Sequence, residues 1–223
     1  MSYNITMTVW GICGYLLGSI PFGLLLCLIC GYGDIRKSGS GNIGATNVLR
    51  CSQNKLLALL TIIFDAAKAG AIAYLALKIV PQKPVVFCGI VTQLNVLTAL
   101  ISGTAAVIGH NFPIWLKFKG GKGVASSFGL ILALAPFTAL TALAIWIIAA
   151  VLFRYSSLAA IIAALATPLI SFFYNDLICT IFITFLALLL LIRHRSNFIR
   201  LIKGEESKIS FRKTSSKKKK SKK

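Results

Sequence analysis

The sequence predicts an all-α integral membrane protein, a seven-transmembrane-helix bundle with its N-terminus outside and its C-terminus cytoplasmic. Three observations carry that expectation. Of 223 residues, 57% are apolar, long runs carry no charge, and the Lys and Arg residues gather on alternate loops.

No basic stretch precedes the first apolar run, which is also too long for a signal peptide, so it reads as a retained span over about residues 7–30. Two further runs, about 56–80 and 85–109, and the late run 177–192 with its flanks each suffice for one crossing, which takes roughly 20 apolar residues. Residues 124–174 exceed one crossing. Breaks expected at Pro136 and at RYSS (154–157) divide them into a short helix to about Pro136, a second to Phe153 and a third from Leu158 to Tyr174. The six Cys residues show no zinc-ligand spacing and mostly lie within apolar runs, where a thiol packs as a small apolar group, so neither disulfides nor a metal site is expected.

Alternate loops place residues 31–55, 110–123, 154–157 and 193–223 on one side of the membrane. These segments hold 21 of the 24 Lys and Arg residues, and by the positive-inside rule that side is cytoplasmic. Six spans would divide the basic loops between both sides. The formal charge of +19 therefore reads as a topology signal rather than a nucleic-acid surface, because the cations lie between and after apolar runs instead of along one amphipathic face. The chain divides into a seven-span domain, residues 1–209, and a Lys-rich tail, 210–223, expected to be disordered. The tail suits either attraction to anionic lipid headgroups or a solvated topology tag.

Four polar segments interrupt the apolar sequence, all on that face: KSGSGNIGATNVLR (37–50), GHNFPIWLKFKGGKGVASS (109–127), RYSS (154–157) and RHRSNFIRLIKGEE (193–206). Irregular backbone at a membrane boundary must satisfy its own N–H and C=O groups, and glycine-rich loops do so poorly unless they bind something or line a wet cavity. Convergence on one face points to one site. In KGGKG (119–123), Gly120, Gly121 and Gly123 let backbone amides turn toward an anion, and Lys119 and Lys122 add charge. The helix expected from Val124 presents its positive end there, so the segment reads as a phosphate cradle, although without the GxxxxGK[ST] spacing of a nucleotide loop. In the first segment Ser38, Ser40, Asn42, Thr46 and Asn47 offer hydroxyls and amides beside glycines, and Arg50 can grip phosphate through two parallel hydrogen bonds. For either segment alone, a turn between spans is the plain alternative. Ser156 and Ser157 open the helix after RYSS, and they either cap it or touch a ligand.

Acids are scarce. Only Asp34, Asp65, Asp176, Glu205 and Glu206 occur, with Asp176 on the far side, which argues against a carboxylate-rich metal site and against paired-carboxylate catalysis. No cofactor is expected. Asp65 and Lys68, three apart on the second span, read as a structural salt bridge. His110 and His194 both fall at the cytoplasmic boundary, as general bases or as hydrogen-bonded helix ends.

GSIPFG (18–23), SGSGNIGATNVLR (38–50), GHNFPIWLKFKGGKGVASS (109–127), RYSSLA (154–159) and the spacing of His194, Asn197, Arg200, Gly204 and Glu206 resemble the bacterial acyl-phosphate-dependent glycerol-3-phosphate acyltransferases over about residues 8–209. The His-x4-Asp pattern of common glycerolipid acyltransferases is absent, since Trp115 and Ile199 stand where it needs Asp. The resemblance implies a seven-span bundle in the bacterial inner membrane, with its motifs facing the cytoplasm. The implied reaction takes acyl phosphate and sn-glycerol 3-phosphate to lysophosphatidic acid (1-acyl-sn-glycerol 3-phosphate) and phosphate, the first step of phospholipid synthesis. The implied partners are those two substrates, membrane lipids and the enzyme that makes acyl phosphate, with no cofactor and no nucleic acid.

By the same resemblance, Ser38, Ser40, Thr46, Asn47 and Arg50 come to the site from the first loop, and Gly120, Gly121 and Gly123 with their lysines hold glycerol 3-phosphate. Ser156 and Ser157 join the acyl-phosphate pocket, His194 and Asn197 are active-site residues, and Glu206 holds the last segment in place. The sequence departs from the family pattern at Cys51–Asn54, Ala69 and Phe198. So acid-poor a sequence suits this chemistry. An acyl phosphate already carries a good leaving group, and what remains is to neutralise phosphate, align a hydroxyl with a carbonyl and stabilise an oxyanion. Direct transfer is expected, its proton accepted by substrate phosphate or His194. The alternative class is a transporter of a phosphorylated solute, but such sites lie at mid-membrane on broken helices in repeated halves, and no internal repeat is visible.

Overall fold

The computed structural model describes residues 2–209, and the Lys-rich tail expected to be disordered lies outside the described residues. In chain order the helices are α1 (Tyr3–Gly18), α2 (Phe22–Ile29), α3 (Ala45–Ser52), α4 (Lys55–Ile79), α5 (Leu94–Asn111), α6 (Val124–Leu134), α7 (Pro136–Phe153), α8 (Ser156–Tyr174), α9 (Leu177–Arg193) and α10 (Arg195–Ile202). An antiparallel hairpin, β1 (Pro84–Phe87) and β2 (Ile90–Gln93), stands between α4 and α5.

Five stretches are long and apolar enough to cross a membrane: Tyr3–Ile29, Lys55–Ile79, Leu94–Leu116, Pro136–Phe153 and Ser156–Tyr174. α9 and α10, bent by 54° at His194, give a sixth if counted together. The chain is therefore a multi-pass membrane protein. α6 is the element that falls short of the expected seven, because 11 residues at about 1.5 Å each reach about 16 Å of a core about 30 Å thick.

The first span holds as Tyr3–Ile29, with an interruption inside it. Pro21 has no N–H to donate, and the chain breaks at Ile20–Pro21 before α2 resumes. One expectation is corrected: the third span does not begin at residue 85, because residues 84–93 form the hairpin and α5 starts at Leu94. Its strands carry β-branched Val85, Val86, Ile90, Val91 and Thr92, and both turn residues, Cys88 (φ 49°) and Gly89 (φ 79°), lie in the left-handed region that a tight hairpin turn requires. A continuous apolar run shows no period with which to tell strand from helix.

Small residues let the helices approach closely. α1 lies along α5, where a Cβ at Gly14 or Gly18 would collide with the carbonyls of Ser102 and Ala106. α4 crosses α6 at Gly70 and Gly129 in the same way. Between these helices Ala69, Ala73, Ala99, Ala106, Val107, Leu130 and Leu186 form a buried core. These contacts set the cytoplasm-predicted ends of α4, α5, α6 and α9 side by side.

Candidate active site

In the first loop one side chain shapes the backbone. Asn47 is buried; its Nδ2 donates to the carbonyls of Ile35 (2.9 Å), Asn42 (2.8 Å) and Ser38 (3.3 Å), and its Oδ1 accepts the N–H of Ser40 (2.9 Å). Asn42 Oδ1 accepts the N–H of Gly44 (2.9 Å), closing a turn within the same loop. Gly39, at φ 62°, presses its Cα against the Asn47 amide, where no side chain fits. Asn42 and Asn47 thus hold the loop, while Ser38, Ser40, Thr46 and Arg50 stay exposed.

The glycine loop differs from the cradle expected of it. Gly120 and Gly121 donate their N–H groups back to α5, to Asn111 O (3.2 Å) and His110 O (2.9 Å). Their carbonyls accept from Arg193, at 3.0 Å for Gly120 and at 2.9 and 3.1 Å for Gly121, and the guanidinium stacks 4.9 Å from the Phe112 ring centroid. The two glycines therefore serve close approach, and their amides are spent on α5 rather than turned toward an anion. From Lys122 to Ser126 no amide has a backbone partner among the described residues, because the first bond of α6 runs from Ser127 N–H to Gly123 O (2.8 Å). Lys119 is exposed and stands apart from the side-chain network.

The bend at His194 turns α10 across the loops, and Glu206 becomes the hub. Its Oε1 accepts from Asn197 Nδ2 (2.8 Å) and Ser157 Oγ (2.9 Å), and its Oε2 accepts from Arg200 Nε (2.7 Å). Asn197 Oδ1 in turn accepts from Lys122 Nζ. One hydrogen-bonded chain thus joins the glycine loop, the start of α8 and the last segment. His194 is buried with Nδ1 2.9 Å from Leu190 O, so Nδ1 carries the proton and Nε2 remains an acceptor. Ser156 is half-buried next to Ser157.

The electrostatics extend the same neighbourhood to the first loop. Burial pushes the Lys122 ammonium down to about 8, with Arg200, Arg193 and Arg50 acting in the same direction and Glu206 against them. Burial would raise the Glu206 carboxyl, but the donors from Asn197, Ser157 and Arg200 outweigh it and hold the group below its usual range. Lys122, with Arg50, Arg193 and Arg200 acting on it and Glu206 as the one opposing carboxylate, beside hydroxyls and helix-end amides, makes an electropositive site that suits phosphate and a developing oxyanion.

Beneath the glycine loop, Asp65 and Lys68 pair as expected (2.9 Å), and His110 joins them. The Arg193 strut and the joining of His110 to the Asp65–Lys68 pair are the features that sequence reasoning missed. An Arg ending an apolar helix, with Gly-Gly far off in sequence, gives no local signal of the contact.

The family model for glycerol-3-phosphate acyltransferase matches residues 8–204. The chain is similar to the glycerol-3-phosphate acyltransferase of Rhodospirillum rubrum, 49% identical over 208 residues that cover 92% of this chain and 93% of that one. It is likewise similar to that of Jannaschia sp., 46% identical over 195 residues, 87% and 89% of the two chains. The crystal structure of PlsY (YgiH), an integral membrane glycerol 3-phosphate acyltransferase, in its glycerol 3-phosphate form superposes with a TM-score of 0.80 at 34% identity, covering 92% of this chain and 96% of that one. The lysophosphatidic acid form gives 0.78 at 33%, covering 92% and 95%. With a family match from residue 8 to residue 204 and relatives nearly half identical along almost their whole lengths, the chain belongs to the glycerol-3-phosphate acyltransferase family.

Proposed function

We propose that the chain transfers an acyl group from acyl phosphate to the 1-hydroxyl of sn-glycerol 3-phosphate, giving lysophosphatidic acid and phosphate. The observation that carries this reading is the hydrogen-bonded chain from Lys122 through Asn197 to Glu206 and Arg200, with the Arg193 guanidinium on the neighbouring Gly121 carbonyl and the charge of Arg50 also acting on Lys122. Both substrates bring phosphate, and both need the same neutralisation.

In the step, the glycerol 3-phosphate oxygen bonds to the acyl carbonyl carbon and the carbon–oxygen bond to phosphate breaks. The hydroxyl proton passes to His194 Nε2 or to the departing phosphate. Lys122, set by Asn197, holds the glycerol 3-phosphate phosphate together with the first amides of α6, and Gly120, Gly121 and Gly123 fix that segment. Arg50, Ser38, Ser40 and Thr46 meet the acyl phosphate, with Ser156 and Ser157 at its other side. Asn42 and Asn47 act by shaping their loop, Glu206 by tying α8 to α10, and Lys119 by raising the potential at the rim.

The membrane is the bacterial inner membrane, crossed seven times with the N-terminus outside and the site facing the cytoplasm. The chain Lys122–Asn197–Glu206–Ser157 supports that count: the start of α6 and the start of α8 share one face, so α6 and α7 go out and return although α6 is short. Residues 1–209 are the catalytic domain and 210–223 a separate basic tail. Coupling to the enzyme that makes acyl phosphate follows from the lability of that substrate. A solute transporter would want its site at mid-membrane, where Leu97, Leu100, Ile131 and Ile183 fill the interior.

The test is phosphate release by the purified, detergent-solubilised full chain given palmitoyl phosphate, with and without glycerol 3-phosphate. Release that depends on glycerol 3-phosphate, with an equal amount of lysophosphatidic acid, is the expected result. Silence from a well-folded sample overturns the reading.

A further inference from the structure

Asp65 and Lys68 on α4 and His110 near the end of α5 form a buried cluster directly beneath the glycine loop. Lys68 Nζ lies 2.9 Å from Asp65 Oδ1, 2.9 Å from His110 Nδ1 and 3.0 Å from the carbonyl oxygen of Ile20. An ammonium has three N–H donors and no acceptor: it meets the Ile20 carbonyl and His110 Nδ1, and pairs by charge with the Asp65 carboxylate, whose Oδ1 also lies 3.4 Å from His110 Nδ1. His110 Nδ1 must then accept, which places the ring proton on Nε2.

That edge of the ring faces the loop: a Cβ added at Gly121 would run into His110 Nε2, and the Gly121 N–H returns to the His110 carbonyl at 2.9 Å. One ring therefore supports the residue immediately before Lys122. One ammonium ties that ring to the Ile20–Pro21 break where α1 gives way to α2. An ion pair that served only to neutralise itself inside the bundle would need neither the ring nor the Ile20 carbonyl.

We infer that Asp65, Lys68 and His110 are positioning residues for the glycerol 3-phosphate site, setting through the His110 ring where the Gly121–Lys122 segment, and with it the Lys122 ammonium, stands. The identity of the ligand rests on the acyl-transfer reading. The cluster touches no substrate and acts through the loop above it. Its loss therefore weakens glycerol 3-phosphate selectively and leaves acyl phosphate, held from the first loop, little changed.

His110→Asn tests this, because the Asn Oδ1 keeps an acceptor near the Nδ1 position for Lys68 while the edge beneath Gly121 is deleted. Binding of glycerol 3-phosphate to the solubilised full chain is measured by calorimetry, alongside steady-state kinetics with palmitoyl phosphate. The expected result is a melting temperature near that of the wild type, a glycerol 3-phosphate Kd and KM raised about tenfold or more, and a palmitoyl phosphate KM within about twofold. Should His110→Asn fail to fold, the double variant Asp65→Asn, Lys68→Met removes both charges together and carries the same expectation. A folded variant that binds glycerol 3-phosphate like the wild type overturns the inference, as does an equal loss for both substrates that tracks the melting temperature. A wild type that binds glycerol 3-phosphate but transfers nothing overturns the reaction instead, and the binding comparison still decides the positioning role; a wild type that binds none overturns both.

Discussion

Glu206→Gln is the sharpest probe of the site, because the substitution changes one charge in a side chain that is 10% exposed and accepts three hydrogen bonds. The Gln carboxamide keeps a carbonyl oxygen for Ser157 and Asn197 but turns an N–H toward Arg200 Nε, donor against donor. A hydrogen bond to a charged partner contributes about 1.5–3 kcal/mol against about 0.5–1.5 for a neutral one, so the two buried bonds together lose about 2 kcal/mol. Arg200 is 36% exposed and rehydrates, adding little.

If that network holds Asn197 and Lys122 in the geometry of transfer, the loss is felt in the transition state. At about 1.4 kcal/mol per factor of ten, kcat/KM for glycerol 3-phosphate then falls about thirtyfold. The assay is steady-state phosphate release at saturating palmitoyl phosphate, paired with a melting curve, where the same loss lowers Tm by about 4–8 °C. A Tm that drops while kcat/KM stays within about threefold refutes the reasoning. Glu206 would then brace α10 without setting the site.

Lys122 is charged below about pH 8 and neutral above it. Accordingly kcat/KM for glycerol 3-phosphate is flat on the acid side of pH 8 and falls about tenfold per unit above it, and Lys122→Arg, charged throughout, removes that limb in a pH profile. Lys122→Ala raises KM for glycerol 3-phosphate more than for palmitoyl phosphate, and the reverse order would assign the loops to the wrong phosphates. Arg193→Lys cannot fork across the Gly120 and Gly121 carbonyls, so glycerol 3-phosphate affinity falls about tenfold in a binding titration; unchanged affinity would separate the loop from the strut. Direct transfer leaves no acyl group on Ser38 or Ser40, and mass spectrometry that finds one during turnover refutes it.

The membrane class, the positions of most spans and the gathering of polar segments between apolar runs were legible in the sequence alone. These follow from composition and charge, which act on a chain locally and can be read by counting. The run 85–93 escaped because its apolar residues Val85–Cys88 and Ile90–Val91 are consecutive and so show no alternation that would separate strand from helix. The residue types of the candidate site were legible too: Arg50, Lys122, Asn197 and Glu206 stand in polar islands where apolar sequence surrounds them.

Which donors remain for a ligand and which serve the fold depended on contacts between residues far apart in the sequence. Asn47 looked like a substrate contact and turns out to use both ends of its amide on its own loop. Gly120 and Gly121 looked like amide donors and instead admit the His110 ring below and Arg193 at their carbonyls. Lys122 finds Asn197 across 75 residues of sequence, and His110 finds Lys68 across 42. A hydrogen bond saturates its donor wherever the partner comes from, so the free groups of a site are known only after the helices have brought distant residues within about 3 Å of one another.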